Sequence, residues 1–109
     1  GRGGRNTELA LAAARDLAGA TPGVEEVVLA VATDGEDGSS RSAGGVVDGG
    51  AWEALRRSGI DPEDALAHHD SATALRSVPG ALLETGITST NVGDLAVYLR
   101  RPAGAPGLG

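Results

Sequence analysis

The stretch Val27-Val28-Leu29-Ala30-Val31-Ala32, followed at once by Thr33-Asp34-Gly35-Glu36-Asp37-Gly38, decides how the rest of the chain is read. An apolar run without polar alternation predicts a strand buried on both faces, and the polar hexapeptide marks where that strand leaves its sheet. In open α/β sheets ligands bind beyond the carboxyl ends of the strands. A site is therefore expected around Asp34 and Asp37.

On the amino-terminal side, Gly1 to Asn6 is a glycine and arginine lead-in to a helix from about Thr7 to Ala18, with Asn6 or Thr7 as its cap and Gly19 as its stop. Leu9, Ala13 and Leu17 form one stripe and Leu11, Ala14 and Ala18 a second, so this helix is expected to pack on two neighbours. The strand itself is expected over Glu25 to Ala32. Counted from Asp34, the polar loop that continues through Ser39 to Gly45 is about a dozen residues long, a length that tends to be functional or mobile. Val46-Val47 reads as a strand stub, and a helix follows from Ala51 to Ser58, ended by Gly59 with Ile60 closing over its last turn. Asp61-Pro62-Glu63-Asp64 restarts a helix at once, to about His68, with Asp61 as cap and Pro62 at the first helical position. Asp70-Ser71 is placed to cap a further short helix that ends before Pro79. Ala81 to Thr85 and Leu95 to Leu99 read as strands, the second with Leu95, Val97 and Leu99 on one face. This order predicts an α/β layered domain with a mixed β-sheet flanked by helices, because the last two strands are too close for a parallel crossover. A proline and glycine tail begins at Pro102.

The chain has 109 residues, enough for one domain that buries roughly two thirds of its unfolded surface. Trp52 and Tyr98 are its aromatics and are expected to anchor the core. With Ala, Leu and Val carrying the rest, helices must approach the sheet closely and small packing errors should matter. A net charge of −6 argues against nucleic acid and anionic lipid as partners. Every cation is an arginine, so neither a Walker-type lysine nor Schiff-base chemistry resides here. The absence of cysteine excludes a disulfide framework and a thiolate zinc site. No segment reaches the ~18 apolar residues of a membrane span and no leader pattern is seen, so a cytoplasmic protein is the default expectation.

Four constellations carry possible chemistry. Asp34 and Asp37, interleaved with Gly35 and Gly38, are either Mg²⁺ ligands through one or two oxygens or an acidic surface turn. Gly1 to Asn6, with Arg2 and Arg5 ahead of a helix amino terminus, is either an anion site or a frayed end with solvated arginines. Thr85 to Asn91 either hydrogen-bonds a polar ligand or satisfies its own loop backbone. His68-His69-Asp70-Ser71 lacks metal-ligand spacing and a nucleophile-elbow pattern, and helix capping accounts for most of it.

In their order and spacing, several of these pieces resemble one family. They are Gly4-Arg5-Asn6-Thr7-Glu8, Thr33-Asp34-Gly35 with Asp37-Gly38, Gly44-Gly45-Val46-Val47-Asp48, Asp70-Ser71, and Thr85-Gly86 through Thr90-Asn91-Val92 to Asp94-Leu95. Together they resemble the MOFRL domain, the carboxy-terminal domain of glycerate 2-kinases (type II glycerate kinases), some of which are named hydroxypyruvate reductases. The resemblance covers essentially residues 1 to 100 and implies a MOFRL-like domain over 1–101, with 102–109 as a tail. It implies ATP-dependent phosphorylation of D-glycerate to 2-phosphoglycerate, with Mg²⁺, in a cleft shared with a larger amino-terminal Rossmann-like domain. By that resemblance Arg5 would hold the substrate carboxylate or a phosphoryl oxygen, and Asp34 would accept the glycerate hydroxyl proton or position the metal, with Asp37 beside it. Asn91 would hydrogen-bond a ligand, with Gly4, Asn6, Gly35 and Thr90 as neighbouring binding residues. The family usually has asparagine where this chain has His69, proline where it has Ile87 and glycine where it has Ser89. A preceding strand and a lysine-bearing amino-terminal domain would lie upstream of Gly1. The competing expectation is a free-standing anion-binding or regulatory module without chemistry. Under either, a homodimer that pairs a bare sheet edge is expected to be possible.

Overall fold

The computed structural model describes residues 3–18, 24–32, 42–83 and 93–102. Its central strand β1 (Val24–Ala32) contains the apolar run, and β2 (Gly44–Asp48), β3 (Leu82–Leu83) and β4 (Asp94–Pro102) complete a sheet of order β3-β2-β1-β4. Every pairing among the described residues is antiparallel, which corrects the expected mixed sheet. The stretch 33–43 is polar and glycine-rich, without the helical pattern of a crossover, so β2 returns antiparallel to β1. β4 then pairs along the whole of β1, from Val24 opposite Pro102 to Ala32 opposite Asp94. The layered α/β class holds.

Helices α1 (Arg5–Leu17), α2 (Ala51–Arg57), α3 (Pro62–Ala67) and α4 (Ser71–Arg76) gather on one face of the sheet. α1 lies across β1 and β2 and buries Thr7, Ala10, Leu11, Ala14 and Leu17. Their spacing of three and four residues makes one wide face. The expectation of two separate packed stripes is corrected accordingly: Leu11, Ala14 and Leu17 join one buried face, while Leu9 is 46% exposed. Against α1 pack Val47 of β2, Trp52 and Leu55 of α2 and Leu75 of α4.

Alternation along β1 sends Val28, Ala30 and Ala32 toward the helices and Val27, Leu29 and Val31 to the opposite face. Only Ala30 and Ala32 of β1 are buried, so the expectation of a strand buried on both faces is corrected. The register places Leu99, Val97 and Leu95 of β4 beside Val27, Leu29 and Val31, on the face the described helices leave uncovered. Leu95 and Leu99 are each 48% exposed. Of the two aromatics, Trp52 is buried as expected, whereas Tyr98 is exposed and donates its hydroxyl to Glu26 across the strand pair.

Two helix ends follow from local chemistry. α2 closes through Gly59 in the left-handed region, the Gly59 N–H donating to Arg56 C=O and the Ile60 N–H to Leu55 C=O, both at 3.1 Å. α3 starts at Asp61, whose Oδ1 accepts from the N–H groups of Glu63 (3.1 Å) and Asp64 (3.3 Å). Asp61→Ala is expected to cost about 1 kcal/mol of stability, read as a lower urea midpoint with an unchanged slope. Among the described residues no helix is long and apolar enough to cross a membrane.

Candidate functional site

One end of the sheet collects the flanks of every motif singled out above. There the Ala32 N–H donates to Ala43 C=O (2.7 Å) and the Ala43 N–H to Leu83 C=O (2.6 Å), while Ala32 lies opposite Asp94. β1 therefore ends, β2 begins, β3 ends and β4 begins side by side. Asp34, Gly35, Asp37, Thr90 and Asn91 lie outside the described residues, but the residues that flank both of their segments meet here.

The first turn of α1 reaches the same end. Gly4 is the cap residue, and Asn6 and Thr7 sit inside the first turn rather than before it. The Gly4 N–H donates to Thr7 Oγ1 (2.9 Å), an interaction that supplies the cap from within the helix. Arg5 donates through Nε to Asp94 Oδ2, and Asn6 donates through Nδ2 to Asp94 Oδ1 (2.9 Å). One carboxylate at the start of β4 thus accepts from two consecutive side chains of α1. The Arg5 and Asn6 hydrogen bonds hold the Asp94 carboxyl below its ordinary range, outweighing the opposing effect of desolvation. Any stability it lends is in place above the usual aspartate titration and fades as pH falls through that lowered value.

A second support comes from α4. Thr7 Oγ1 and Ser71 Oγ are 2.8 Å apart and both side chains are fully buried, one hydroxyl donating to the other. A Cβ on Gly3 would lie 2.3 Å from Ser71 Oγ, so any larger residue where the chain enters α1 must displace that hydroxyl. Ser71 is a buried tether for this turn, while Asp70 occupies the cap position without a side-chain capping bond to α4. His69 adopts φ 53, a left-handed conformation that asparagine and histidine tolerate better than most residues. Its Nδ1 lies 2.6 Å from Glu8 Oε1, and a carboxylate can only accept, so the ring proton is on Nδ1.

Arg5 is thereby placed at the positive end of a thirteen-residue helix, its side chain 76% exposed, beside the end of the sheet. This arrangement suits an oxyanion such as a carboxylate or phosphoryl group. Among the described residues no cluster of His, Asp and Glu could hold a metal ion. A hollow lined by Val24, Glu25, Asp48, Gly49 and Arg101 lies at the far end of β1, away from Arg5, Asn6 and Asp94.

A model of the MOFRL family matches residues 1–94. The chain belongs to the MOFRL family. The D-glycerate 2-kinase of Thermotoga maritima is 50% identical over 100 residues, which are 91% of this chain and 23% of that protein. The glycerate 2-kinase of Pyrococcus horikoshii is 44% identical over 99 residues, 91% of this chain and 21% of that one. The crystal structure of the Thermotoga maritima glycerate kinase superposes with a TM-score of 0.81 at 48% identity, again over 91% of this chain and 23% of the other. This MOFRL chain thus spans about a fifth of the length of those relatives.

The structure brings together Gly4, Arg5 and Asn6, which the sequence analysis gave binding roles, and it joins to them Asp94, Thr7, Ser71 and the Glu8–His69 pair, which stood in the quoted motifs without such a role. Asp94 stood in a quoted motif without a role, because its role depends on the pairing of β4 with β1, which puts Asp94, Ala96 and Tyr98 on the helix-side face with Ala32, Ala30 and Val28.

Proposed function

We propose that this MOFRL chain is the carboxy-terminal domain of an ATP-dependent glycerate 2-kinase, which transfers a phosphoryl group from ATP to the C2 hydroxyl of D-glycerate in a cleft shared with a larger amino-terminal, Rossmann-like domain. The observation that carries this reading is the arginine at the amino terminus of α1, fixed beside the converging strand ends, in a chain 50% identical to a D-glycerate 2-kinase. Arg5 binds an oxyanion of glycerate or of the nucleotide. Asp34 accepts the hydroxyl proton as the new O–P bond forms and the bond to the departing ADP breaks, and Asn91 with Thr90 orients the ligand. Phosphoryl transfer depends mostly on positioning and charge neutralisation, which suits this division of labour.

The described donors, Arg5 and the α1 amides, fit the phosphates of a nucleotide. Mg²⁺, when bound, would supply charge neutralisation of those phosphates, and Asp34 with Asp37 are the residues proposed to hold it. The chain carries no lysine, so an ammonium clamp would come from the other domain. The face of Val27, Leu29, Val31, Leu95, Val97 and Leu99, which the described helices leave uncovered, suits a domain that rests against a larger body. Separately, β4 is an edge strand of the described sheet, and a second copy pairing along it would give a homodimer.

The isolated 109 residues are expected to give no ADP above background with D-glycerate, ATP and Mg²⁺, while the full-length polypeptide turns over. A coupled assay for ADP checks this. Turnover by the isolated chain would refute the shared cleft. Calorimetric binding of glycerate or nucleotide by a chain whose gene encodes no further domain would support a free-standing module instead.

A further inference from the structure

We propose that Asp94 is a positioning residue, whose carboxylate fixes the plane of the Arg5 guanidinium so that it receives an anion at the strand ends. The inference rests on the kinase reading only for the identity of the natural anion. Its basis is the pair of bonds from Arg5 Nε and Asn6 Nδ2 to the two oxygens of one carboxylate. The Arg5 side chain is largely exposed, and this contact narrows the rotamers it samples. Engagement through Nε sets the orientation of the planar guanidinium, and the second bond, from Asn6, sets the orientation of the carboxylate itself. Thr7, packed on Ser71, and Glu8, bound to His69, hold the turn of α1 that carries both donors. An aspartate carboxyl is ionised throughout the neutral range, so both oxygens accept there, and the Arg5 and Asn6 bonds favour that ionised form further.

Positioning and simple electrostatics predict opposite signs. Asp94 is a negative charge beside the arginine, so removing it would tighten an incoming anion if field strength alone mattered. If Asp94 positions Arg5, its removal weakens the anion despite the gain in positive charge. The test uses the full-length polypeptide in four forms: wild type, Asp94→Asn, Arg5→Ala and the double variant. Affinity for inorganic phosphate is measured by calorimetry, and KM for D-glycerate and for ATP from initial rates. Asp94→Asn is expected to weaken phosphate roughly tenfold, the scale of re-freezing one arginine side chain. It should raise KM for one substrate and leave the other unchanged. In the Arg5→Ala background it should have no further effect, whereas a merely structural role would weaken binding in both backgrounds. Tighter phosphate in Asp94→Asn, an equal loss in the Arg5→Ala background, or no Arg5-dependent binding at all would each overturn the proposal. Absence of glycerate phosphorylation by a wild type that still binds phosphate through Arg5 and Asp94 would refute the kinase reading and uphold the positioning role.

Discussion

Gly44→Ala is expected to destabilise this domain by more than about 3 kcal/mol, enough to leave a domain of ordinary marginal stability partly unfolded. Gly44 pairs with Val31 where β2 begins, and there the two strands approach so closely that a Cβ would sit 1.9 Å from the Ala30 carbonyl oxygen and 2.9 Å from the Val31 Cα. Those atoms are backbone in the central strand. They cannot rotate aside, so the methyl group must push β2 away from β1 and break ladder hydrogen bonds. Gly45, the next residue, gives a graded comparison. A Cβ there would meet Leu75 Cδ1 at 2.8 Å and Ala10 Cβ at 2.9 Å, where α4 and α1 rest on the sheet. Leu75 can rotate aside, whereas Ala10 Cβ yields only if α1 shifts on the sheet, so Gly45→Ala is expected to cost about 1–3 kcal/mol. At Gly49 the nearest atom to an added Cβ is the Leu17 carbonyl oxygen at 3.5 Å, so Gly49→Ala is expected to stay within about 0.5 kcal/mol of wild type. Urea unfolding followed by circular dichroism ranks the three. A Gly44→Ala midpoint equal to that of Gly49→Ala would show the β1–β2 register to be wrong.

The same glycines show what could be read from the sequence. A core of Ala, Leu and Val without phenylalanine implies that helices lie close to the sheet, and Gly45 beneath Ala10 and Leu75 is that closeness. Restart signals were equally legible, because Asp61 and Pro62 act on the backbone beside them and Gly59 ends α2 within its own turn. What could not be read depends on which strands are neighbours. Nothing in Asp94 to Pro102 says that it pairs with β1 rather than with β3, and that pairing decides that the sheet is antiparallel. The apolar run of β1 was likewise ambiguous, since continuous apolar sequence is expected equally of a strand covered on both faces and of one whose second face meets another body. The site divided along the same line. Arg5 and Asn6 are visible as donors ahead of a helix, but their acceptor lies far along the sequence at Asp94, and only the sheet brings it near.

Asp34→Asn in the full-length polypeptide is expected to lower kcat by at least about 100-fold, with KM for D-glycerate little changed, under the proposed kinase function. The amide keeps the size of the carboxylate but cannot accept the hydroxyl proton, and general-base contributions of this kind run from about 10²- to 10⁴-fold. Arg5→Ala should behave differently. Its guanidinium is proposed to bind an anion present before and during transfer, so its loss should appear first in KM for the substrate it holds, with a smaller effect on kcat. Arg5→Ala should not unfold the protein, since the Arg5 side chain is 76% exposed and outside the buried core. Lysine at position 5 separates the two contributions of that residue. It restores the positive charge without the planar fork, so a recovery by Arg5→Lys to near wild-type KM would mean that charge alone is needed and that the orientation imposed by Asp94 is dispensable. If Asp34→Asn instead retained near wild-type turnover, the proton would be leaving the hydroxyl by another route. The end of β1 would then serve to bind the substrate, with the base supplied from elsewhere in the polypeptide.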